Sequence, residues 1–369
     1  MAGKPLKTIL VFEPQSGGHR AGFIRWLKAA AAEYPDCRFV FFTCDDAGDI
    51  QIETLGWWEK QKLLYRLFQQ ACRENQPDHV LVLELTHLEL PLVLFGAPVP
   101  LSAILFVQYP ELAPGLKRFS KHWKTRMLLW RTPVKNLFLL NGKKSSKWLQ
   151  ERFNPAVRFI PIPDPVPARL PDPDFSIKNH FKIDEGRIVF LFFGAISRRK
   201  GADILLEALL KIPSETAKRS AFVFCGSSEP DYTQDFRRQC LRVREIRKDI
   251  RLYTEERFVS DACMATLFEQ SDIVLMPYTR PEYSSGILAQ AAGARVPVIG
   301  PEGGLLGRLI RNNGLGIVCK TDSDSLAQTI DTSVQTLPTV DKDRCDVFVK
   351  KSRPEEFARR ILDAVCNES

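Results

Sequence analysis

Between Phe159 and Phe175 the chain reads FIPIPDPVPARLPDPDF, six prolines in seventeen residues. Proline lacks an amide donor and biases the residue before it away from helix, so the run is expected to lie outside core structure. It reads as a stiff connector. It also splits 369 residues into two stretches, each of a size that suits one hydrophobic core. On either side, short β-branched or aromatic runs alternate with amphipathic stretches, the pattern of parallel α/β layering. The first half offers strands at Thr8–Phe12, Arg38–Thr43, His79–Leu83, Ser102–Val107, Asn136–Leu140 and Val157–Ile160. The second offers Ile188–Phe193, Phe222–Cys225, Ile250–Tyr253, Ile273–Met276, Pro297–Ile299 and Gly316–Val318. The expected architecture is α/β, two doubly wound Rossmann-like sheets. The expected domains are 1–165 and 166–350, with a helix in 351–369 packing back toward the first.

The apolar share of 44% beside 26% charged residues is that of a folded chain. No apolar run reaches the roughly 18 residues of a membrane span. The start MAGKPLKTILVF has no signal-like apolar segment, so a cytoplasmic protein is expected. Nine scattered cysteines, never in a CxxC arrangement, read as separate thiols. No constellation suggests a metal, and Asp45-Asp46 reads as a turn after a strand. The net charge of +8 is local: Lys117 to Arg152 holds eleven Lys or Arg against one acid, Glu151.

In open parallel sheets, ligands sit beyond the carboxyl ends of strands, where loops lead into helices. Three such places carry chemistry. After the first strand, Gly17 and Gly18 permit close backbone approach and His19 opens a helix whose N-terminus favours anions; a plain tight turn fits as well. After the first strand of the second half, GAISRRKG places Gly194, Ser197, Arg198, Arg199 and Lys200 before a helix, a pocket for a diphosphate or an exposed basic turn. The third place is SDIVLMPYTRPEYSSGILAQAAGA. There a helix begins near Ser284, its amides at Ser285, Gly286 and Ile287 free for phosphate oxygens. Glu282 lies just before it and Gln290 about two turns on, on much the same face. A carboxylate in that position suits sugar hydroxyls or a developing positive charge.

GAISRRKG, FEQSDIVLMPY, PEYSSGILAQAAGARVPVIG and PEGG together resemble the donor-binding half of retaining GT-B glycosyltransferases of the large GT4-like family. The likeness covers residues 188–318 well and the whole chain loosely. It implies two Rossmann-like domains facing across a cleft, the first binding an acceptor and the second a nucleotide-sugar. It implies transfer from a UDP-, GDP- or ADP-sugar to a glycan, lipid-linked or small-molecule acceptor, with no obligatory cofactor or metal. In that family a Lys and an Arg embrace the diphosphate. Lys200 matches the Lys, while the Arg position falls on Ala195, leaving Arg198 or Arg199 to substitute. Glu282 matches the first of two glutamates eight apart, and Gln290 stands at the second. Main-chain base contacts fall near Arg257, Phe258 and Val259. The imidazole many relatives place after the fourth strand is replaced by Gln108 and Tyr109.

Two other classes fit the same pattern: a sugar-nucleotide epimerase or inverting GT-B enzyme, and a catalytically silent nucleotide-binding relative. His87 and His122 read as local histidines. KRFSKHWKTRMLLWR suits either a helix lying on an anionic membrane, making the protein peripheral at its inner face, or an ordinary helix that buries Met127, Leu128 and Trp130. No nucleic-acid motif accompanies the patch, and no nucleic-acid partner is expected.

Overall fold

A computed structural model describes residues 6–15, 20–47, 52, 55–106, 108–112, 114–153 and 155–367. The chain divides into two compact units, Met1–Pro165 with Arg353–Ser369, and Val166–Ser352.

In the first unit, strands and helices alternate: β1 (Lys7–Phe12), α1 (Arg20–Ala31), β2 (Cys37–Phe42), α2 (Trp57–Asn75), β3 (His79–Val82), α3 (Glu89–Phe95), β4 (Leu101–Ile104), α4 (Leu116–Arg131), β5 (Val134–Leu140), α5 (Lys143–Gln150) and β6 (Arg158–Ile162). The sheet is parallel throughout, in the order β2-β1-β3-β4-β5-β6. Strands covered on both faces need side chains that are apolar in both directions. Thus Ile9 and Val11 of β1 belong to one core, Leu10 and Phe12 to the other.

The second unit holds α6 (Ile177–Phe181), β7 (Ile188–Phe193), α7 (Ala202–Leu209), α8 (Ser214–Arg219), β8 (Ser220–Cys225), α9 (Thr233–Ile246), β9 (Arg251–Glu255), α10 (Asp261–Glu269), β10 (Ile273–Leu275), α11 (Gly286–Gly293), β11 (Val298–Pro301), α12 (Gly304–Asn312), β12 (Gly316–Cys319), α13 (Ser323–Gln335) and α14 (Lys342–Lys351). Its parallel order, β12-β11-β10-β7-β8-β9, is the Rossmann order. From β7 the chain winds outward through β8 and β9, then returns to the other side through β10. The switch point lies between β7 and β10.

The last helix, α15 (Pro354–Cys366), belongs to the first unit. Phe357, Ile361, Leu362 and Val365 recur at helical spacing and are all fully buried. Phe357 meets Phe23 of α1 at 4.6 Å between ring centroids. Among the described residues no helix is long and apolar enough to cross a membrane.

The proline run needs a correction. Its first residues are not connector but strand: β6 contains Phe159, Pro161 and Ile162, and Pro163, Asp164 and Pro165 after it are buried. Among the described residues β6 is the outer strand of its sheet, pairing only with β5, and an edge strand tolerates a residue without an amide donor. The expectation that Trp130 of α4 packs into the core also fails: Trp130 is 73% exposed, while Leu128 does pack there. The short helices α3, α5, α6, α8 and α14 carry little helical signal in the sequence. They are too brief, or, like KKSSKWLQ of α5, too polar for an apolar period to show.

Candidate active site

The strand β7, IVFLFF, is buried along nearly its whole length and runs straight into Gly194. Gly194 adopts φ +96°, and the carbonyl of Cys225 accepts its amide at 2.9 Å. At the end of the neighbouring strand Gly226 has φ +138°, and a Cβ there would sit 2.1 Å from the Gly194 carbonyl. Only glycines let the two strand ends approach this closely.

Ser197 then caps a short 3-10 turn over Arg198–Lys200, its hydroxyl accepting the Lys200 amide at 3.3 Å. Gly201 follows at φ +75°, where a Cβ would lie 1.9 Å from the Pro277 carbonyl. Thr279 closes the contact, donating its amide and its hydroxyl to the Arg199 carbonyl, each at 3.1 Å. The basic turn after β7 is thereby fastened to the loop after β10, across the switch point.

This fastening fixes Lys200, which is only 9% exposed. Its ammonium donates to the Phe193 carbonyl at 3.4 Å and lies 5.5 Å from the centre of the Tyr278 ring. An ammonium carries three donors, so this surrounding leaves capacity for an anion. A methyl on Gly194 would stand 2.5 Å from Lys200 Nζ and 3.8 Å from Ile287 Cδ1. The ammonium and the first turn of α11 therefore border one point in space.

α11 begins at Gly286 with no side-chain cap from Ser285. Among the described residues, no acceptor faces the amides of Ser285, Gly286 and Ile287. Open amides at a helix start favour an anion. The Tyr278 hydroxyl reaches the Ser285 hydroxyl at 3.5 Å. Just before α11, Glu282 is 6% exposed, with no ion pair or hydrogen bond to its carboxyl among the described residues. Its loop is gripped from α12: Leu306 donates to the Pro281 carbonyl at 3.0 Å, and Gly304, at φ +64°, leaves no room there for a Cβ. That contact explains the second glycine of PEGG, Gly304.

The structure thus gathers Gly194, Lys200, Glu282, Ser285, Gly286 and Ile287 around the switch point, with Ser284 on the same loop and Gln290 half-buried farther along α11. Ser197 is fully buried and occupied as a cap. Arg198 turns toward α9, pairing with Asp235 at 2.5 Å and lying over the Tyr232 ring. Arg199 is exposed, with no ion pair among the described residues. Arg257 pairs with Glu255 beside the edge strand β9, Phe258 is 85% exposed and Val259 is core. Gly17, Gly18 and His19 lie outside the described residues.

Sequence reading passed over Tyr278, although an aromatic right after a strand end was a usable signal. It also passed over a charged group at the matching place in the first unit. Glu13 follows β1 and is 2% exposed; Arg20 at the start of α1 reaches it at 3.5 Å and pairs closely with Glu84 after β3. Burial pushes the Glu13 carboxyl up to about 8, against the opposing pull of Arg20. The signal was an acid closing an apolar run, in ILVFEPQ and VLVLEL. Burial also holds His87 and His122 below the usual imidazole range.

A helix start with open amides, a buried ammonium and a carboxylate at a Rossmann switch point can hold a nucleotide diphosphate and meet what is attached to it. Residues 187–336 match the family described as glycosyl transferases group 1. The chain carries a group 1 glycosyltransferase domain. No curated protein sequence matches it. Among solved structures it is similar to HepE of Anabaena in complex with UDP and glucose, at 15% identity and TM-score 0.67, covering 98% of this chain and 100% of that one. It is also similar to WaaG, a glycosyltransferase involved in lipopolysaccharide biosynthesis, at 15% identity and TM-score 0.66 over 98% and 100%. Sucrose-phosphate synthase of Thermosynechococcus elongatus aligns at 15% identity and TM-score 0.62 over 98% and 96%. At this identity the likeness establishes the fold, which is GT-B. The glycosyltransferase domain spans β7 to α13, and so includes every residue of the switch-point site.

Proposed function

We propose that this protein is a retaining glycosyltransferase that takes a sugar from a nucleotide diphosphate donor, bound at the switch point of the second unit. One observation carries the reading: the Lys200 ammonium and the uncapped start of α11 border the same point, 2.5 Å and 3.8 Å from where a methyl on Gly194 would stand. In this reading Lys200 and the amides of Ser285–Ile287 hold the diphosphate and stabilise it as it leaves. Glu282 meets the transferred sugar, Gln290 the ribose, and the loop at Arg257–Val259 the base. Arg199 is better placed than Arg198 to add a cation, because Arg198 is paired with Asp235. The first unit supplies the acceptor surface.

UDP is the first donor nucleotide to test, since HepE has been seen with UDP-glucose. The cationic segment 117–152 serves as a face toward an anionic membrane surface, placing the protein at the inner side of a membrane without spanning it. Thermal unfolding with UDP, GDP and ADP tests the donor site directly. A nucleotide at 100 times its dissociation constant adds about 2.7 kcal/mol of stability. Indifference to all three nucleotides overturns the proposal. Proton NMR of the first-formed product reads the anomeric configuration; inversion would leave a glycosyltransferase but not a retaining one.

A further inference from the structure

The first unit is assembled from two pieces of chain, and α15 is the piece that arrives after the whole second unit has been made. Its apolar stripe is buried, but its far end is held by polar ties at the rim of the sheet. Tyr34, in the turn between α1 and β2, donates its hydroxyl to the Asp363 carboxylate at 2.7 Å. Lys7, the first residue of β1, donates its ammonium to the Val365 carbonyl at 2.7 Å. These same two residues flank Cys37, the first residue of β2. Lys7 stands opposite Cys37 in the parallel register, and the Cys37 amide donates to the Tyr34 carbonyl at 3.1 Å.

The next residue of α15 after Val365 is Cys366. Both cysteines are half-buried against the same core, which includes Ile9, Val11, Phe357 and Val365. Their thiols share a hydrogen bond. Thiols in such contact need to close by only about 2 Å to reach the roughly 2.05 Å of a disulfide. Both also keep part of their surface in water, so a small oxidant has access. Burial, then the Cys37 contact, pushes the Cys366 thiol well above the usual range. It therefore stays protonated at neutral pH, and the pair persists as two thiols until an oxidant arrives.

The geometry points to Cys37 and Cys366 as a redox-responsive pair that closes into a disulfide and staples the end of α15 to the start of β2. The oxidant is a small disulfide such as glutathione disulfide. The Cys37 thiolate attacks one of its sulfurs and releases one glutathione thiolate, leaving a mixed disulfide on Cys37. Cys366 gives up its proton and attacks the Cys37 sulfur, releasing the second glutathione. Two protein thiols are oxidised and one glutathione disulfide is reduced to two thiols. The new bond joins residues far apart in sequence, with the second unit carried in the loop between them. It removes freedom from the unfolded chain and ties α15 to its own unit. Lys200 and Glu282 belong to the second unit, so the staple leaves the switch-point site untouched.

The test uses the full chain held in reduced or oxidised glutathione, with remaining thiols alkylated before tryptic digestion without reduction. Mass spectrometry should find AAAAEYPDCR, which carries Cys37, linked to the peptide beginning ILDAVC, which carries Cys366. The oxidised protein should melt at least about 4 °C higher, and dithiothreitol should reverse the shift. Cys37→Ser and Cys366→Ser should each abolish both the link and the shift, while Cys44→Ser should keep both. The thermal shift produced by UDP should be the same in the reduced and oxidised protein. A mixed disulfide that stops at glutathione, a link to any other cysteine, or a link formed only in denaturant overturns the pair. A Cys37–Cys366 link that leaves the melting temperature unchanged overturns the staple.

Discussion

The two sheets place charged groups at the same topological position, the point where strand order reverses, and treat them in opposite ways. In the second unit Lys200 faces a carbonyl and a ring, the start of α11 is uncapped, and Glu282 has no partner among the described residues. In the first unit Arg20 pairs closely with Glu84, beside a Glu13 whose carboxyl burial keeps protonated below about pH 8, so the set compensates itself. An open set of donors invites an anion, because burying unpaired donors is costly until a ligand meets them. A self-compensated set offers little to a charged ligand and more to a neutral, hydroxyl-bearing one. The difference fits a donor held by the second unit and an acceptor by the first.

The strongest way to break this comparison is to empty the open side. Lys200→Ala and Glu282→Ala should each lower turnover by at least about 10²-fold, the order expected for one preorganised electrostatic partner. Steady-state kinetics with the donor found by thermal shift measures both. Lys200→Ala should also weaken nucleotide diphosphate binding, whereas Glu282→Ala should leave free UDP binding nearly unchanged. If Glu282→Ala alters nothing and the unmodified protein binds nucleotide without turnover, the domain is a silent relative.

Next comes the closed side. The folded state keeps the proton on Glu13 until about pH 8, whereas the unfolded chain releases it near 4.5. Between those values the folded state binds more protons, so this group's contribution to stability falls as pH rises and levels off above 8. Glu13→Gln should remove that decline. Melting curves at pH 6 and pH 8 should differ by a few degrees in the natural protein and less in the variant. Equal slopes would show that the Glu13 carboxyl titrates normally. The smallest effect is expected from Arg198→Ala, below about tenfold in turnover, because its exposed pair with Asp235 is of the kind that contributes little. A loss as large as that of Lys200→Ala would mean that Arg198 leaves Asp235 to grip the diphosphate.

Much of the fold was legible in the sequence. Strands such as IVFLFF and helices such as PEEFARRILDAVC carry their burial in their own periodicity. The switch-point motifs were legible for a related reason: a glycine, a cation and a helix start announce backbone conformation and charge locally. What escaped depended on neighbours distant in the chain. Pro161 could be a strand residue only because β6 turned out to be an edge. Arg198 and Lys200, two residues apart in the same basic turn, part company because one meets Asp235 and the other is enclosed by Gly194 and Tyr278.

Periodicity, proline placement and the concentration of cations in 117–152 follow from the order of residues alone, since each rests on interactions within a few positions. Which cation stays open, which carboxyl keeps its proton and which face of α4 remains uncovered follow from contacts between segments far apart in the chain. Desolvation and pairing are properties of a finished environment, and only the folded chain has one.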